Sequence, residues 1–68
     1  MKVYVVTHGQ VCETNEVIGV FTHRKDAVKF ALSQKCCFPG GWEPDSEVED
    51  YWENGNCDFV DVTKWKVE

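Results

Sequence analysis

The sequence has no long apolar run; its longest stretches are a few residues, such as Val3-Tyr4-Val5-Val6. That excludes a membrane-spanning helix and a signal-peptide core, and predicts a cytosolic protein. The C-x2-C spacing of structural zinc sites is also missing, although four cysteines are present at 12, 36, 37 and 57. No Gly-rich segment opens a helix, so no phosphate-binding loop is expected, and Pro39-Gly40-Gly41 reads as a turn. Repeats, low-complexity tracts and linkers are absent. Between Glu43 and Asp61 there is no Lys or Arg at all.

Sixty-eight residues bound the chain to one domain, 1–68. A domain of this size buries only about 60% of the surface its unfolded chain exposes, so a staple or a partner subunit is a common supplement. With 43% hydrophobic and 13% aromatic residues the composition is that of a folded chain. The formal charge of −5 argues against direct nucleic-acid binding and for a basic partner, or one that normally holds nucleic acid.

Val3 to Thr7 is β-branched and aromatic and predicts a strand. His8 to Asn15 reads as a loop, and Glu16 to Phe21 as a second, antiparallel strand in which Gly19 marks a bulge or a close helix contact. Thr22 is placed to cap a helix from about His23 to Lys35, with Ala27, Val28, Phe30, Ala31 and Leu32 as its apolar stripe. Phe38-Pro39-Gly40-Gly41 ends it. Asn54-Gly55 between two apolar runs predicts a hairpin. The competing reading of 46–54 is a short helix with Ser46 and Glu49 as a capping box. Phe59 to Val67 is a strand, with a bulge near Thr63 where the alternation slips. The expected fold is α+β, an antiparallel sheet with one helix on one face, in the order β-β-α-β-β.

Lys2-Val3-Tyr4-Val5-Val6, Val17-Ile18-Gly19-Val20-Phe21-Thr22 and Asp26-Ala27 resemble a pattern in small uncharacterised phage and bacterial β-β-α-β proteins. The resemblance covers the N-terminal half. The chain departs from it at Lys25, where such proteins often carry an acid. It implies a fold and brings no active site.

Three constellations bear on function. His8, His23 and the four cysteines offer soft ligands, but the adjacent Cys36 and Cys37 diverge and free cysteine is a common small hydrophobe, so no metal is expected. Cys36 and Cys37 follow a helix C-terminus, whose partial negative charge disfavours a thiolate; no catalytic residue and no cofactor are assigned. The third is the acidic segment: Glu43, Asp45, Glu47, Glu49, Asp50, Glu53, Asp58 and Asp61, interleaved with Tyr51, Trp52 and the nearby Trp42. Solubility alone explains a few acids. Eight without one base, among aromatics that interfaces favour, point to a partner-binding surface at these acids with Tyr51 and Trp52.

The first two strands are apolar on both sides, with Val3 and Val5 opposing Tyr4 and Val6, and Val17 and Phe21 opposing Ile18 and Val20. One helix covers one face. The expected cover for the other is a second copy in a homodimer, or the loop carrying Phe38 and Trp42. The role expected is a non-enzymatic, phage-type inhibitor or modulator of a host or defence protein. Its alternatives are a small-nucleotide sequesterer using Arg24 and Lys25 between subunits, and a zinc-stabilised regulatory module.

Overall fold

A computed structural model describes residues 1–10, 15–35, 40–55 and 58–67. β-branched and aromatic residues form β1 (Lys2–Gln10) and β2 (Asn15–Phe21), followed by α1 (Arg24–Leu32), a two-residue β3 (Glu43–Pro44), β4 (Tyr51–Asn54) and β5 (Asp58–Lys66). One antiparallel sheet results, in spatial order β2-β1-β5-β4-β3. The α+β expectation holds, with one strand more than predicted, β3. None of the described helices is long and apolar enough to cross a membrane.

Several local readings change. β1 runs through His8, Gly9 and Gln10, which the sequence suggested as loop, because each finds a ladder partner on β5: Val60, Phe59 and Asp58. The β1–β5 register is continuous from Lys2↔Lys66 to Gln10↔Asp58, so the bulge expected near Thr63 is absent. The bulge predicted around Gly19 is present. Val6 pairs with Gly19 but Thr7 with Val17, leaving Ile18 as the extra residue. The helix starts one residue later than Thr22 would set; His23 is the N-cap and makes no side-chain cap hydrogen bond. It ends at Leu32 rather than Lys35, where the Ser33 hydroxyl turns back to donate to the Phe30 carbonyl at 2.6 Å.

The hairpin reading prevails over the short helix for 51–54. Of the Asn54-Gly55 pair, Gly55 takes positive φ (61°), while Asn54 is the last paired residue of β4, opposite Asp58. Residues 46–50 form bends and turns rather than strand.

Side chains alternate between faces, and the register sorts them. Tyr4, Val6 and His8 of β1 share a face with Val60 and Val62 of β5, Trp52 and Asn54 of β4, and Gly19 and Phe21 of β2. α1 lies on that face, where Ala27, Ala31, Val6 and Val60 are fully buried. The small alanines and Gly19 let the helix approach; a Cβ on Gly19 would stand 3.0 Å from the Phe30 ring. Trp42 also packs here, its indole N–H donating to the Gln34 carbonyl at 3.0 Å and its ring edge-on to His8. Trp42 therefore does not shield the opposite face, as the loop-cover expectation had it. Phe38 lies outside the described residues.

Candidate protein-binding face

The face away from α1 collects the odd-numbered residues of β1 and β5 with their partners. Across β3, β4 and β5 it presents Glu43, Glu53, Tyr51, Phe59 and Asp61. Across β1, β2 and the end of β5 it presents Val3, Val5, Val17, Val20, Thr63 and Trp65. Val17, Val20 and Trp65 are each more than half exposed. One half is thus acidic and the other apolar. No strand residue on this face is Lys or Arg. Lys2, Lys64 and Lys66 all point to the helix side, Lys2 opposite Lys66 and Lys64 opposite Tyr4.

Phe59 is the hinge between the halves. Its ring stacks on Tyr51 (centroids 5.5 Å apart, planes 11° off parallel) and lies over Gly9, its cross-strand partner. A Cβ at Gly9 would meet the ring at 3.0 Å, so the aromatic fills the space the missing side chain leaves. Burial raises the Tyr51 hydroxyl above its ordinary pKa, with Glu53, Asp61 and Asp45 adding negative potential. Glu43 and Glu53 stand directly opposite each other. Like charges so placed oppose strand pairing, a cost that packing does not explain.

Asp61 pairs across the ladder with Tyr51 on one side and Thr7 on the other. Burial raises its pKa, partly offset by a hydrogen bond from the Thr7 side chain, and Oδ1 has no hydrogen-bond partner among the described residues. An acid raised in this way favours folding at pH below its unfolded pKa, and that contribution is lost as pH rises through the folded value. Asp61→Asn is therefore expected to melt higher than wild type at neutral pH. The gap should close as pH falls through the carboxylate range; a gap constant with pH in thermal melts refutes this origin.

The ten residues singled out from sequence separate in space. Glu43, Tyr51, Glu53 and Asp61 share the open face. Asp45 lies beside Tyr51, its amide donating to the Tyr51 carbonyl at 2.9 Å. Its Oδ1 accepts the amides of Glu47 (2.7 Å) and Val48 (2.9 Å), which hold its pKa down. Glu47 and Glu49 are exposed on the turn before β4. Three others are engaged elsewhere. Asp50, at φ 57°, takes the Arg24 guanidinium in a two-point ion pair, with Nε donating at 2.9 Å. Trp52 packs on the helix-side core, and Asp58 is buried. The sequence view that no base neighbours this segment fails at Asp50, because Arg24 arrives from the helix.

Sequence reading missed Phe59, Thr7 and the apolar half as parts of one surface with the acids. Strand parity alone gives their faces, but only once the β1–β5 register is known. All four cysteines lie outside the described residues, and among the described residues no three His, Cys, Asp or Glu are grouped as metal ligands.

No curated protein and no solved structure matches the chain. A family model described as Domain of unknown function (DUF7336) matches residues 1–68, and the chain belongs to that family.

Proposed function

We propose that this DUF7336 domain is a non-enzymatic binding module whose open sheet face docks a basic protein, in the manner of an inhibitor that occupies a site built for nucleic-acid phosphates. The reading rests on one observation: every lysine of the strands is on the helix side, while the open face carries Glu43, Glu53 and Asp61 and no base from any strand. Such segregation focuses negative potential on one surface. The apolar half, with Trp65 and Val20 exposed, supplies the desolvated contacts that give an interface its affinity. The cross-strand Glu43–Glu53 pair fits a surface kept for a partner at some expense of stability. A cytoplasmic target, a host or defence protein in the phage-type version, is the partner class this reading names. The nucleotide alternative loses its leading cation, since Asp50 already occupies the Arg24 guanidinium.

The test is affinity capture of nucleic-acid-binding proteins from lysate by the wild-type chain, with elution by salt and by competing DNA or RNA. The Glu43→Lys/Glu53→Lys double variant is expected to lose the captured protein while keeping its circular dichroism spectrum. Capture by the variant with unchanged salt dependence would overturn the acidic-face reading.

A further inference from the structure

The two sheet edges are built differently. β3 is two residues long and includes Pro44, which cannot donate to a further strand. β2 is seven residues long, pairs among the described residues only with β1, and contains no Lys, Arg or Pro, the residues that commonly blunt an edge. Its bulge at Ile18 disrupts one half and leaves Gly19 to Phe21 regular.

The flank of α1 above this edge is also distinctive. Phe30 reaches β2, its ring 5.2 Å from that of Phe21 and against Gly19. On the same flank Asp26, Lys29, Phe30 and Ser33 line an open, largely apolar groove of about 330 Å3. Arg24 lies on the other flank, toward Asp50. Asp26 and Lys29 are exposed and, among the described residues, neither makes an ion pair.

We infer that a second copy of this chain docks here through a twofold axis, β2 against β2 near Val20 and α1 antiparallel to its mate across the Phe30 groove. The charge pattern selects this occupant. A twofold axis between Asp26 and Lys29 sets each against the other in the partner, so one helix flank is its own electrostatic complement. The same axis brings the exposed Val20 side chains together at the regular end of β2. Edge pairing continues the sheet, leaving Glu43, Glu53, Asp61 and Trp65 of the open face free and drawing in only Val20 from its apolar half.

The contact covers part of one strand and a nine-residue helix, on the order of 400 Å2 per copy and about half a standard interface. Association should therefore be weak and concentration-dependent, with a Kd of tens of micromolar or more.

Sedimentation equilibrium up to roughly 0.5 mM reads it. Wild type should pass from the 7.8 kDa monomer to twice that mass. Asp26→Lys and Lys29→Asp should each weaken the dimer about tenfold, because symmetry converts two attractive contacts to repulsive ones. The double exchange should restore it, and Trp65→Ser on the open face should leave it unchanged. A monomer at all concentrations overturns the inference, as do single variants without effect, a double variant that is not restored, or a dimer lost with Trp65→Ser.

Discussion

Gly9→Ala is expected to lower stability by about 3 kcal/mol, the upper part of the range for overpacking a filled site. The added Cβ would stand 2.5 Å from Asn15 Cβ and 2.8 Å from Asn15 Cα, so relief requires moving backbone at the start of β2. The Phe59 ring closes the remaining direction at 3.0 Å. For a chain of this size the melting temperature should fall by roughly 15 °C. Gly19→Ala is the control. The nearest atoms to its Cβ would be the edges of the Phe21 and Phe30 rings, at 2.9 and 3.0 Å, and rings can tilt. A cost of about 1 kcal/mol is expected there. Equal melting temperatures for the two variants would show that the Asn15 backbone yields easily.

Asn54→Asp carries the second large effect. Asn54 is 2% exposed, and its side-chain amide donates to the Gly41 carbonyl at 2.8 Å, tying the segment before β3 to the β4–β5 hairpin. Aspartate keeps the shape and the turn preference but cannot donate, and it sets a carboxylate against a carbonyl beside the buried Asp58. A loss of about 2–3 kcal/mol follows from a buried carboxylate that replaces the donating amide and faces the Gly41 carbonyl. Urea unfolding decides between the two origins of this residue. If Asn54 were there for turn propensity, Asn54→Asp would unfold at the same urea concentration as wild type.

Asn54 also shows where sequence reading succeeds and why it stops. Asn-Gly located the hairpin correctly, yet the reason for asparagine is tertiary: its partner Gly41 is far from it in sequence, and its own φ is not positive. Local signals were enough for the helix, for strands one, two and five, and for the bulge beside Gly19, since periodicity and backbone preference act over a few residues. They failed at His8-Gly9-Gln10, where polar residues and a glycine become strand only because β5 supplies partners. The acidic segment was legible as composition but not as geometry. Which acids face outward depends on strand parity, and Arg24 neutralises Asp50 from an element outside the segment.

The pairing of β1 with β5 has a consequence for how the molecule forms. β1, β2 and α1 are consecutive and can assemble by local encounters, but the residues that complete their core, Val60 and Val62, belong to the last strand. Until β5 arrives, β1 keeps one bare edge, and Ala27 and Ala31 lack Val60 and Val62 from their core. The central ladder therefore closes the longest loop in the chain, and the entropy of that closure precedes most of its reward. Folding should be slow for so short a chain, with its rate set by mutations on β1 and β5. Changes confined to α1, which can form before that closure, should also slow folding.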